Sequence, residues 1–224
     1  MERAYRNLGY FLLALVPVFV AGFWIPYLSE IPSFEASITP AVHVHAVLLF
    51  AWLALLIAQP FAVRYRALAI HRQLGRLSYV LMALIVPFTI AMIFKEYHER
   101  VSDGSPIYVA RNAELLSAAQ LAVTVAVYLL AIMRIRRRDV AAHMRYMICI
   151  GIFLLPAGLA RTLGYWFQAG QVTSQTVSLA VIEACLAALI AFDLSRDLNP
   201  RPYVVAFLTY NITAVVWLAI GRPV

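Results

Sequence analysis

Lysine is nearly absent from this chain of 224 residues, since Lys95 is its only one, and only 13% of its residues are charged. A single lysine at the end of an apolar run leaves no mid-helix amine to form a Schiff base, which excludes a retinal-type protein. Cysteine is almost as scarce. Cys149 and Cys185 both fall inside apolar stretches and read as small buried residues, not as a disulfide. There is no phosphate-cradling glycine loop and no HExxH pair, so neither soluble nucleotide chemistry nor a helix-borne zinc hydrolase motif is present. A small-residue cleavage pattern is also missing from the first apolar run, which is therefore expected to stay as a helix.

Apolar residues are what the chain has in excess. They make up 63% of it, and its mean hydropathy is +0.82. A hydrocarbon slab of about 30 Å needs about 20 apolar residues per helix, and the sequence holds material for about seven such spans. The expectation is one all-α domain over residues 1–224, a polytopic membrane bundle. Its spans are placed at about 5–28, 40–63, 71–94, 112–133, 140–167, 172–193 and 203–220. Pro17 and Pro26 are expected to kink the first span rather than break it, and Pro156 lies inside the fifth. The loop after the first span carries Glu30, Pro32 and Glu35. The longest loop is expected at 95–111.

The net charge of +7 gathers in short loops between apolar runs. That is the positive-inside pattern of a bacterial inner-membrane protein, and it argues for membrane lipids or a membrane complex as partners and against nucleic acid. Placing the arginine loops at 64–72 and 134–139 inside puts the amino terminus in the cytoplasm and the carboxyl terminus in the periplasm.

Those two loops belong to an internal repeat. RYRALAIHRQLGRLSY, from Arg64, partly returns 72 positions later as RRRDVAAHMRYMICIG, so Arg66 aligns with Arg138 and His71 with His143. A helix pair is used twice, each time with an arginine hinge and a histidine where its second helix begins. Two equivalent histidines at one depth suit the axial ligands of a b-type haem, with Arg64, Arg66, Arg72 or Arg145 neutralising its propionates. They equally suit interfacial residues that bind lipid phosphates or helix ends.

A second polar level is expected near the outer surface. His45, Trp52 and Gln59 are seven apart and form one stripe about 21 Å long on their helix. In the fourth span Ser117, Gln120 and Thr124 form a milder polar stripe. His45 and Arg161 could bind the carbonyl oxygens of a quinone or an anionic head, with Glu183 as proton acceptor; the alternative is a structural Arg161–Glu183 pair.

The runs HVHAVLLFAWLALLIAQP, HRQLGRLSYVL and HMRYM and a later LAR resemble a widespread bacterial family of uncharacterised integral-membrane proteins, a domain of unknown function. The resemblance covers about 40–161 and rests on His45, Trp52, Gln59, Pro60, His71, Gly75, Ser78, Tyr79, His143, Arg145, Tyr146, Met147 and Arg161. Ala46 stands where that family has a glycine. It implies a multi-helix membrane fold and brings no established activity. A looser, architectural similarity is to membrane cytochromes b, whose ligating histidines sit deeper than His71 and His143 would.

Three functions follow as expectations. The first is electron transfer through haem near the cytoplasmic face, with a quinone at the outer level. The others are a non-catalytic accessory or amphiphile-binding protein, and an intramembrane metal-dependent hydrolase.

Overall fold

The computed structural model describes residues 2–31, 33 and 38–220; Pro32 and Glu35 lie outside the described residues. Every regular element among the described residues is helical: α1 Leu8–Leu13, α2 Val16–Trp24, α3 Pro40–Arg64, α4 Leu68–Ser102, α5 Ile107–Arg136, α6 Val140–Phe153, α7 Leu155–Phe167, α8 Gln171–Leu194 and α9 Arg201–Ile220. Five runs are long and apolar enough to cross a membrane, namely α3, α4, α5, the α6–α7 pair and α8; Leu8–Trp24 is a shorter apolar run.

Two prolines stand at helix breaks, Pro17 where only a kink is expected and Pro156 inside the expected fifth span. Pro17 and Pro156 each occupy the first turn of the helix that follows the break, α2 and α7. A first-turn residue has no intrahelical acceptor for its N–H, so proline fits there and the chain resets before it. Pro60 and Pro87 instead lie inside α3 and α4, which continue through them.

The long loop expected at 95–111 is mostly helix. α4 runs on to Ser102, and α5 begins at Ile107. Lys95 pairs with Glu99 and Glu96 with Arg100, both four residues apart, and such pairs extend a helix beyond its apolar stretch. Gly104, at φ 82°, then turns the chain, while Ser105 N–H reaches back to the Arg100 carbonyl at 2.9 Å.

The arginine hinges share one backbone conformation. Arg66 has φ 60° and Arg138 has φ 62°, both left-handed. Ala67 N–H closes on Ala62 O at 2.8 Å and Asp139 N–H on Arg134 O at 2.9 Å, the six-to-one bond of a Schellman turn. Such a turn sends each helix back along its predecessor, giving the hairpins α3–α4 and α5–α6.

These hairpins pack side by side through α4 and α5, and α9 lies against α5, α6 and α8. The core holds Trp52, Leu116, Tyr128, Ile150 and Ile182, all nearly sealed from solvent. Trp52 meets the Tyr128 ring edge-on at 5.6 Å, and Ser78 and Tyr128 share a hydrogen bond of 2.8 Å across α4 and α5. α2 packs on α7 at Gly22 and Gly158, where a Cβ on Gly22 would overlap the Gly158 backbone. In lipid, close approach of this kind brings helices together where the hydrophobic effect does not.

Candidate functional site

Alternating helix directions bring the end of α2, the start of α3, the end of α4, the start of α5, α7 and the start of α8 to one end of the bundle. They line a half-open cavity of about 910 Å³. Its deeper wall is apolar, formed by Trp52, Met82, Ile85, Phe153 and Leu154, and its mouth carries His45, Glu96, Arg100, Glu114, Arg161 and Gln171. Ser117, Gln120 and Thr124 line it too, so the polar stripe of α5 faces the cavity. Ser117 and Thr124 turn their hydroxyls back onto their own helix, at 3.2 Å and 2.8 Å, and Gln120 donates to the Tyr210 hydroxyl at 3.3 Å.

Two polar bridges span the mouth. Arg161 Nη2 on α7 lies 3.5 Å from Glu96 Oε1 on α4, and its guanidinium sits 5.0 Å from the centre of the Phe23 ring. Arg100 Nη1 on α4 donates to Gln171 Oε1 on α8 at 3.1 Å, and its Nε donates to Glu114 Oε1 on α5 at 3.2 Å. Arg100 Nη2 is also 3.7 Å from Glu96 Oε2, which joins the bridges into one network of two arginines and two glutamates. His45 lies within electrostatic reach of both Arg161 and Glu96.

Three buried polar atoms on the cavity wall have no hydrogen-bond partner among the described residues: His45 Nδ1, Thr89 Oγ1 and Glu114 Oε2. Unpaired groups of this kind cost about 1–3 kcal/mol each when kept from water. They come from α3, α4 and α5.

Of the residues expected at the outer level, His45, Trp52 and Arg161 are brought together here. Glu183 is not among the residues lining the cavity; it lies on α8 near Tyr210. The Arg161–Glu183 pair is therefore replaced by Arg161–Glu96, because α4 extends a further two turns beyond its apolar stretch and delivers Glu96 to Arg161. Gln59 sits toward the opposite end against Gly75, with its Oε1 buried and unpartnered among the described residues. Glu96, Arg100 and Glu114 are the site residues that sequence reasoning missed. Two signals were available: the four-residue spacing of Glu96 and Arg100, and Glu114 as the only acid within α5.

His71 and His143 begin α4 and α6 at the other end of the bundle, within electrostatic reach of each other. His143 Nδ1 contacts the Ala131 carbonyl at 2.9 Å, and His71 Nδ1 has no partner among the described residues. Arg66 is exposed in its hinge. Arg145 does not reach that surface. It is 1% exposed and bound to Asp193 at 2.6 Å and Glu2 at 2.8 Å, because the amino-terminal segment folds under the bundle. Arg64 is engaged as well, donating to Arg6 O at 2.9 Å and Asn7 Oδ1 at 2.8 Å.

Among the described residues no three His, Cys, Asp or Glu side chains converge as a metal site. No family model, curated protein or solved structure matches the chain.

Proposed function

We propose that the chain is a membrane protein that binds a membrane-borne amphiphile, its polar head among His45, Glu96, Glu114 and Arg161 and its tail along Trp52, Met82 and Ile85. The observation that carries this reading is the cavity of about 910 Å³, polar at its mouth and apolar in its depth. That volume lies in the upper part of the range of ligand pockets, which are mostly apolar with a few placed polar groups. A quinone is one molecule of this shape, with Arg161 and His45 donating to its carbonyl oxygens. In this reading the α1–α2 pair and α9 complete seven spans in a bacterial inner membrane, and the equivalent hinges at Arg66 and Arg138 mark a helix pair used twice. Those hinges face the cytoplasm under the positive-inside rule, with the amino terminus there and the carboxyl terminus in the periplasm, so the cavity belongs to the periplasmic half.

Calorimetric titration of the protein in lipid nanodiscs with a decyl-chain quinone and with a single-chain lipid of equal length tests the reading. Saturable binding of at least one, weakened tenfold or more by Arg161→Met, is the expected result. Unsaturable partitioning of both would overturn it.

A second reading is favoured by the proximity of His71 and His143. The contact of His143 Nδ1 with the Ala131 carbonyl leaves Nε2 open to a metal, the usual arrangement of a ligating histidine. His71 and His143 fit the axial positions of a b-type haem, and exposed Arg66 and Arg72 fit its propionates, while Arg145 is committed elsewhere. Bound there, the haem would supply one-electron transfer. An absorbance spectrum of protein expressed with haem, oxidised and then dithionite-reduced, should show sharp α and β bands that vanish in His71→Ala and His143→Ala. A colourless folded protein removes this reading and leaves the cavity reading intact.

A further inference from the structure

The charges and unpaired atoms at the mouth of the cavity also bear on the head group. Arg161 and Arg100 both have carboxyl partners, Glu96 and Glu114, so both guanidiniums are engaged before any ligand arrives. A carboxylate or phosphate head would come up against Glu96 and Glu114, or would have to displace Glu96 from Arg161. The atoms left over have a different character. Glu114 is 6% exposed, its Oε1 is held by Arg100, and its Oε2 is an acceptor without a donor among the described residues. His45 Nδ1 and Thr89 Oγ1, equally unpartnered there, can each supply a donor.

One acceptor and two potential donors that line the same cavity, on α5, α3 and α4, match a hydroxyl, which donates one hydrogen bond and accepts others. We infer that the cavity selects a neutral, hydroxyl-bearing amphiphile, whose O–H donates to Glu114 Oε2 while its oxygen accepts from His45 or Thr89. This inference rests on the amphiphile reading and names the class of head group. Glu114 then becomes the specificity residue, and Arg100 positions it. The quinol form of a quinone belongs to this class, as does a long-chain alcohol.

The test uses three probes with one tail and three heads, namely dodecanol, dodecanoate and dodecane, titrated into the protein in nanodiscs of uncharged lipid. A hydrogen bond of about 1.4 kcal/mol corresponds to a tenfold difference in affinity. Dodecanol is expected to bind saturably, about tenfold or more tighter than either of the other probes. Glu114→Met is expected to bring it down to the level of dodecane. Equal or tighter binding of dodecanoate overturns the inference while sustaining the amphiphile reading. Saturable binding of all three at one affinity overturns it as well. Saturable binding of none overturns both. If Glu114→Met does not fold, the order of the three probes on the unsubstituted protein still decides the matter.

Discussion

Arg145 holds Asp193 through two guanidinium nitrogens, Nε on Oδ2 at 2.6 Å and Nη2 on Oδ1 at 3.2 Å, and both side chains are sealed from solvent. The Tyr5 hydroxyl donates to the same carboxylate at 2.5 Å, and Tyr203 donates to Tyr5 at 3.1 Å. One buried acid thus ties the amino-terminal segment, α6 and α9 to α8. Removing one partner of such a pair strands the other in a medium that cannot solvate it, at about 3–5 kcal/mol. Asp193→Ala should therefore lower stability to denaturation in detergent by that amount. Arg145→Met with Asp193→Leu should lower it by less than the sum of the single changes, as a double-mutant cycle would show. Additive losses would mean that the two side chains act separately.

The contact of α2 with α7 depends on Gly22. An added Cβ there would overlap the Gly158 backbone, whereas nothing lies within 4 Å of a Cβ at Gly164 on the same α7. Gly22→Ala should destabilise the protein by about 1–3 kcal/mol through overpacking. Gly164→Ala should stay within about 0.5 kcal/mol of the parent protein. Thermal unfolding in one detergent compares them directly.

The hinge at Arg66 places a residue with a Cβ in the left-handed region, a conformation that costs about 1–2 kcal/mol without glycine. Arg66→Gly should melt at or above the unsubstituted protein. A β-branched residue is worse still in that region, so Arg66→Val should fall below both. The same order is expected at Arg138, whose φ of 62° matches. A reversed order at both positions would place the hinge's preference in the arginine side chain.

Much of this architecture can be read from residue pattern. Hydropathy locates α3 and α8 to within one residue because their apolar stretches nearly coincide with their hydrogen-bonded lengths, and it shortens α5 by five residues at its start and three at its end. It shortened α4, since the turns carrying Glu96 and Arg100 are helical yet charged, and apolarity carries no record of them. That single difference hides Glu96 from Arg161 in the sequence, because hydropathy puts the partner of Arg161 in a loop. The repeat at Arg66 and Arg138 was visible because a left-handed hinge and a helix start recur at fixed spacing. Arg145 was misplaced for another reason. Its partner Glu2 lies 143 residues away in sequence and folds under the bundle, and no local pattern reports such a closure.

Arg161 and Glu183 separate the structural account from the sequence expectation. Arg161→Met should weaken binding of the decyl-chain quinone about tenfold by removing a donor to its carbonyl oxygen. Glu183→Gln should leave that affinity unchanged, because Glu183 is not among the residues lining the cavity. Calorimetric titrations of both variants with one probe provide the check. Equal losses would move the binding site toward α8.

Trp52 allows the central claim, amphiphile binding within the bundle, to be tested most directly. Its side chain is 1% exposed, yet it lines the deep wall of the cavity. In a protein whose other tryptophans, Trp24, Trp166 and Trp217, are replaced by Phe, a brominated-chain alcohol should quench Trp52 saturably, and an unbrominated dodecyl alcohol should reverse that quenching. Quenching that rises linearly with probe and ignores the competitor would contradict the account, because it would mean that the chain stays in the surrounding lipid.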